Sequence, residues 1–268
     1  MPDYSRTAAE TLRRIRSNKP VVHNITNYVV MNSTANVLLA MGASPIMAHA
    51  PEELDELVEI AGAVVINIGT LSAFWIESMI SAAALCKTMG KPYVLDPVGA
   101  GATQLRTETA RRIVDTAPPT IIRGNPSEIL SLSPEGGATR GVDSIHTSED
   151  ALDAAYDIAK SLGTVVAVTG ERDIVTDGKV SLIVQGGHPL LGYVTGTGCA
   201  SSVVVAAFAS QEADGVAASA AALAFFGLAG ERAAMEADAP GTFWQKVLDA
   251  LYTITPEDLE SAARIRRL

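Results

Sequence analysis

In the stretch Val194-Thr195-Gly196-Thr197-Gly198-Cys199-Ala200-Ser201-Ser202 a strand-like approach meets two glycines immediately before a long helical pattern. Glycine lets successive backbone N–H groups turn inward. The first N–H groups of a helix lack intrahelical acceptors, and the helix dipole is positive there. Together these features predict a cradle for a phosphate or another oxyanion at Gly196, Thr197 and Gly198. A tight turn into a helix with no ligand has the same local pattern, so the stretch needs partners elsewhere in the chain. Cys199 opens the helix, where the dipole favours a thiolate. A cysteine there is open to three roles: nucleophile, general base or small buried hydrophobe. Cys86, within an apolar helical pattern, reads as core.

Other chemistry-bearing residues stand at the ends of short apolar runs. Asp96 follows Tyr93-Val94-Leu95 and precedes Pro97. A carboxylate there can hold magnesium through water, the usual companion of transferred phosphates. Glu128 comes three residues after Asn125 at a helix start. It reads equally as a second magnesium carboxylate or as a first-turn acid favoured by the dipole. Arg123 directly follows Thr120-Ile121-Ile122, and a guanidinium at a strand end suits phosphate. His23 and His49 read as hydrogen-bonded structural residues, while Met47 fits either a ligand pocket or the core.

The elements that must position these residues alternate. Val64-Val65-Ile66-Asn67-Ile68, Tyr93-Val94-Leu95, Thr120-Ile121-Ile122 and Thr164-Val165-Val166-Ala167-Val168 are apolar at nearly every position. Strands buried on both faces of a parallel sheet require that pattern. Helical patterns at 51–60, 71–89, 108–117 and 148–162 separate them, which predicts an α/β fold with a mostly parallel central sheet and helices on both faces. Each strand runs into a small or polar cluster, such as Gly69-Thr70 or Thr169-Gly170-Glu171. Ligands bind open parallel sheets at the carboxyl ends of the strands, so these clusters point to one shared site. An Asp177-Gly178 pair between two short β patterns signals a type I′ hairpin at a sheet edge. Segment 133–148 reads as a long surface loop, and the chain from Cys199 onward as Ala-rich and helical to its end, with Thr255-Pro256 opening the last helix. No repeat or linker divides the chain, so one domain over 1–268 is expected.

Composition narrows the function classes. The 268 residues carry 30 acidic and 20 basic side chains, a net charge of -10, which disfavours nucleic acid as a partner. Two cysteines cannot staple so long a chain. The polar start at 1–16 is unlike a signal peptide, and the apolar stretches read as broken short of the ~20 residues of a membrane span. A cytoplasmic protein is expected.

The ordered motifs resemble the hydroxyethylthiazole kinases, the thiazole-salvage enzymes of thiamine biosynthesis within the ribokinase-like superfamily. The matching pieces are His23-Asn24-Ile25-Thr26-Asn27, Gly42-Ala43-Ser44-Pro45-Ile46-Met47-Ala48, Asn67-Ile68-Gly69-Thr70-Leu71, Leu95-Asp96-Pro97-Val98-Gly99-Ala100-Gly101-Ala102, Ile122-Arg123-Gly124-Asn125, Thr169-Gly170-Glu171 and Gly196-Thr197-Gly198-Cys199. The resemblance implies ATP- and magnesium-dependent phosphorylation of 4-methyl-5-(2-hydroxyethyl)thiazole. It implies that Arg123 and Thr169 contact ATP. Met47, Gly196, Asn27 and Gly69 would contact the thiazole, and Asp96 and Glu128 would serve magnesium. It also implies a homotrimer with sites between subunits. Sugar kinases of this superfamily carry aspartate where Cys199 stands, as do hydroxymethylpyrimidine kinases and the dehydratase that repairs hydrated nicotinamide cofactors. Cys199 therefore favours the thiazole kinases over those two alternatives and leaves the identity of the base open.

Overall fold

The computed structural model describes residues 3–133, 147–148 and 150–268. Helix α1 (Tyr4–Asn18) starts at Asp3, whose carboxylate accepts the Arg6 N–H at 3.1 Å. Its apolar residues Ala8, Leu12 and Ile15 recur at helical spacing and are buried, so the polar N-terminal stretch is one face of an amphipathic helix. The chain then builds β1 (Val21–Ile25), α2 (Met31–Met41), β2 (Ser44–Met47), α3 (Leu54–Ile60) and β3 (Ala63–Asn67). After these come α4 (Ala73–Met89), β4 (Tyr93–Asp96), α5 (Gln104–Thr116), β5 (Ile121–Gly124), α6 (Pro126–Leu132), α7 (Leu152–Leu162) and β6 (Val165–Val168). Strands β7 (Asp173–Thr176) and β8 (Ser181–Gln185) follow. The last elements are α8 (Thr197–Ala209), α9 (Gly215–Ala234), α10 (Pro240–Thr253), α11 (Pro256–Ala262) and β9 (Arg264–Arg267).

All nine strands form one sheet in the order β2-β1-β3-β4-β5-β6-β7-β8-β9. From β2 to β6 every pairing is parallel, and β7, β8 and β9 add an antiparallel edge. The central strands β3 to β6 are buried at every position, as their continuous apolar runs predict. Successive side chains alternate between two cores. Val65, Val94, Ile121 and Ala167 pack with α1, α2, α8, α9 and α10. Val64, Ile66, Leu95, Ile122 and Val166 pack on the other face with α3, α4, α5 and α7. The predicted mostly parallel sheet with helices on both faces is therefore observed.

Four local expectations are corrected. The chain ends in a strand, not a helix: β9 pairs antiparallel with β8, and its Arg-rich, one-apolar pattern suits an exposed edge. The β7–β8 hairpin forms, yet Thr176 pairs with Ser181, which leaves a four-residue loop instead of the two-residue type I′ turn. Asp177 Oδ1 builds that loop by accepting the N–H groups of Lys179 and Val180 at 2.8 and 2.7 Å. A 3-10 helix at Pro189–Tyr193, not a strand, leads to Gly196. Finally, α9 is long and apolar enough to cross a membrane by length and composition, so the apolar run is longer than the sequence reading allowed. Most of α9 is packed inside the protein, where it forms the centre of one core. The surface loop expected at 133–148 lies almost wholly outside the described residues.

Candidate active site

Strand order reverses beside β1, since the chain leaves β1 toward β2 on one side and enters β3 on the other. The carboxyl ends of β1 and β3 therefore border the topological switch point, where open α/β sheets bind ligands. Asn27 follows β1 and Asn67 ends β3. They join across the gap, with Asn27 Nδ2 donating to Asn67 Oδ1 at 2.8 Å. The Gly69 N–H donates to the same oxygen at 3.0 Å. With Oδ1 engaged twice, Asn67 Nδ2 turns to the next strand end and donates to Asp96 Oδ2 at 2.7 Å and to Cys199 Sγ at 3.1 Å. Ser202, one helical turn beyond Cys199 on α8, donates to Asp96 Oδ2 at 2.8 Å. The structure thus brings Asn27, Gly69, Asp96 and Cys199 into one buried network. Sequence reasoning passed over Asn67 and Ser202, which complete it. The available signal for Asn67 was a polar residue inside an otherwise apolar strand run.

Asp96 is fully buried. Burial raises its carboxyl above the ordinary range, while Arg123 and hydrogen bonds from Ser202, Asn67 and Cys199 pull it back toward the charged form. Its Oδ1 has no hydrogen-bond partner and lies 3.9 Å from Arg123 Nη1. Arg123 extends from β5, and its Nη2 donates to Thr169 Oγ1. The two residues expected to meet ATP are therefore in contact.

The N-terminus of α8 closes over the same guanidinium. Gly196 caps the helix with φ of 85°, a left-handed conformation that glycine adopts without strain. The first intrahelical bond runs from Ala200 N–H to Gly196 C=O at 2.8 Å, so the N–H groups of Thr197, Gly198 and Cys199 precede the ladder. A β-carbon on Gly198 would stand 2.8 Å from Arg123 Nη1, so a larger residue there would push the guanidinium away from the helix end. Cation and helix dipole converge at this end of α8. The Thr197 hydroxyl points elsewhere and donates to Leu191 C=O at 2.9 Å, leaving its backbone to the cradle. Arg123, Thr169, Asp173, Thr197, Gly198 and Ser201 line a cleft of about 210 Å³ together with Leu223 and Phe226. Asp173 was not foreseen. Burial pushes its carboxyl up to about 6, against the pull of the Gly170 N–H and Arg123.

Cys199 does not meet the thiolate expectation. Burial first, then the nearby Asp96 charge, pushes its thiol up to about 12, outweighing hydrogen bonds from Asn67 and Asn27 and the pull of Arg123. The dipole argument holds locally, but it cannot show that a carboxylate faces the thiol from another strand.

Glu128 has both oxygens engaged by backbone. Oε2 accepts the Asn125 N–H at 2.8 Å, which completes a capping box with Asn125, and Oε1 accepts the Gly99 N–H at 2.9 Å. Met47 ends the edge strand β2 beside Asn24 and is half-buried against the core. His23 Nε2 donates to Ala48 C=O at 3.0 Å, in keeping with a structural role, and His49 packs at a tilt against Trp75 with ring centroids 4.4 Å apart. Cys86 is buried in the core as expected.

The fold is ribokinase-like, with the buried polar network at the carboxyl ends of its strands. The chain resembles a ribokinase-like superfamily protein from Enterococcus faecalis V583 at the level of fold, with a TM-score of 0.65 and 15% identity over 92% of this chain and 95% of that one. The model of the hydroxyethylthiazole kinase family matches residues 12–257, and the chain belongs to that family of phosphotransferases. It is 54% identical to the hydroxyethylthiazole kinase of Desulfotalea psychrophila over 99% of this chain and 97% of the relative. The solved hydroxyethylthiazole kinase of Pyrococcus horikoshii OT3 superposes with a TM-score of 0.90 at 45% identity, covering 97% of this chain and 98% of that one.

Proposed function

We propose that the protein transfers the γ-phosphoryl group of ATP to the hydroxyl of 4-methyl-5-(2-hydroxyethyl)thiazole, as thiazole salvage for thiamine biosynthesis requires. The observation that carries this reading is the convergence of Arg123, Asp96 and the α8 N-terminus beside the Asn27–Asn67–Cys199 network, in a chain of this family. Arg123, Thr169 and the N–H groups of Gly198 and Cys199 bind phosphate oxygens. Asn27, Gly69, Gly196 and Met47 bind the thiazole. Gly196 abuts Val30, in the loop that carries Asn27, so thiazole and phosphate sides share a wall. Phosphoryl transfer through a loose transition state depends on position and charge neutralisation more than on strong base help. Cys199 therefore acts as a neutral thiol that completes the cradle and faces the alcohol, with Asn67 fixing it against Asp96.

A magnesium ion fits this donor set. The unpartnered Asp96 Oδ1 is a hard oxygen ligand, while Glu128 can contribute only through lone pairs not used by Gly99 and Asn125. When bound, magnesium supplies neutralisation of the phosphate oxygens.

The strand ends and the helix that carry these groups belong to one sheet-centred fold, which supports a single kinase domain over 1–268, and the proposal places it in the cytoplasm. The apolar side chains of Tyr28, Val29 and Phe74 are exposed, and an aromatic cluster of His49 and Trp75 links Tyr28 with Phe74. Tyr28 and Val29 directly follow Asn27, so this patch borders the thiazole side, and an exposed apolar patch in that position supports a homotrimer that covers it and shares its sites. Incubation of the protein with ATP, magnesium and the thiazole alcohol should yield the alcohol monophosphate by mass spectrometry. Absence of product from folded protein would overturn the proposal.

A further inference from the structure

We propose that Arg106, on α5, is a positioning residue that fixes the substrate-side loop after β3 to the loop after β4 that follows Asp96. Its guanidinium is directed entirely at backbone carbonyls. Nη1 donates to Val98 C=O at 2.7 Å and Ile68 C=O at 3.2 Å, and Nη2 donates to Gly69 C=O at 2.8 Å. A planar fork with several fixed donors can satisfy acceptors on two loops at once in a set geometry, which a flexible, compact ammonium does not fix. The two loops already meet at Asp96, whose carbonyl accepts the N–H groups of Val98 at 2.9 Å and Ile68 at 3.3 Å.

Space for the strap comes from Gly99, where a β-carbon would lie 3.2 Å from both Cδ and Nη1 of Arg106. The strap continues beyond Arg106, because the Gly99 N–H donates to Glu128, whose other oxygen holds the loop after β5 through Asn125. Charges of opposite sign are thus set on backbone groups of three successive strand ends. Arg106 serves their carbonyls and Glu128 their N–H groups. Gly69 also donates to Asn67, so the position of the strap is transmitted to the Asn67–Asp96–Cys199 network.

This inference rests on the thiazole-kinase reading for its kinetic consequence and not for its structural one. Arg106→Gln removes the charge and the fork, and Arg106→Lys keeps the charge with fewer donors. Steady-state kinetics and amide hydrogen exchange on both variants test it. The expected result for Arg106→Gln is a fall of about tenfold or more in kcat/KM for the alcohol, as charge-assisted bonds to both loops are lost, with KM for ATP within about twofold. Arg106→Lys should recover part of the loss. Amides 68–70 and 98–100 should exchange faster in Arg106→Gln. A variant that melts earlier while both KM values and kcat stay at wild-type levels would make Arg106 merely structural and overturn the proposal. If the wild-type protein proves inactive on the alcohol, the functional reading fails by itself. Exchange then decides the strap, and unchanged exchange at both loops overturns it.

Discussion

Gly198 and Arg123 approach so closely that a β-carbon on the glycine would lie 2.8 Å from Arg123 Nη1. The helix N-terminus and the guanidinium therefore converge, each constrains the other, and in the proposed reading they form one anion site. Arg123→Ala should weaken ATP binding about tenfold or more, since charge-assisted contacts contribute roughly 1.5–3 kcal/mol. Titration calorimetry on folded protein reads this directly. Unchanged nucleotide affinity would remove Arg123 from the site.

Cys199 separates two chemistries. A thiol pushed up to about 12 is neutral throughout the working range. Cys199→Ser should therefore retain turnover to within about tenfold, short of the roughly 10²–10⁴-fold that loss of a general base brings. Wild type and the serine variant should have superimposable pH–rate profiles up to about pH 10. Cys199→Asp should also remain active, because Asn67 and Asn27 both present N–H donors to that position. A thousandfold loss in the serine variant would restore the cysteine as base.

Asp173 should leave a mark on stability. Its carboxyl titrates near 6 in the folded protein against an ordinary value of 3.8, so the folded state holds the proton longer than the unfolded chain does. Stability attributable to this group is complete below about 4 and is lost as pH rises through about 6. Asp173→Asn should gain on wild type across that window, by about 1 kcal/mol once partial exposure is allowed for. Thermal unfolding between pH 4 and 8 measures the gap, and a gap independent of pH would refute the assignment.

The sheet was readable from sequence because strands covered on both faces are apolar at each position, as in β3 and β6. Elements with weaker hydrophobic patterning were not. Helix α5 begins at Gln104, four residues before the apolar pattern implied, because Thr103 caps a first turn with no buried apolar residue. Strand β9 has one apolar residue, Ile265, and gave no periodic signal. Within the site, Asp96, Arg123 and the glycines were legible because a charge or a Gly-x-Gly at a strand or helix end is locally unusual. Asn67, Ser202 and Arg106 were not, because Asn67 and Ser202 meet Asp96 from 29 and 106 residues away, and Arg106 joins Val98 to Ile68 and Gly69, 38 and 37 residues away on another strand end. The neutral state of Cys199 has the same origin, set first by burial and then by Asp96 across the fold.

Assembly is testable without substrate. The exposed Tyr28, Val29 and Phe74 should be covered in solution, so sedimentation at micromolar concentration should report about three times the 27.9 kDa chain mass. A fully active monomer would contradict the shared-site arrangement.

The most direct measurement is ADP release with the thiazole alcohol and with hydroxymethylpyrimidine, each at saturating ATP and magnesium. The site described here, with Cys199 held by Asn67 and Asn27 in place of an aspartate, predicts that the thiazole alcohol has the higher kcat/KM by at least about tenfold. It also predicts that Asp96→Asn abolishes most of that turnover. Equal or greater efficiency with the pyrimidine would contradict the assignment.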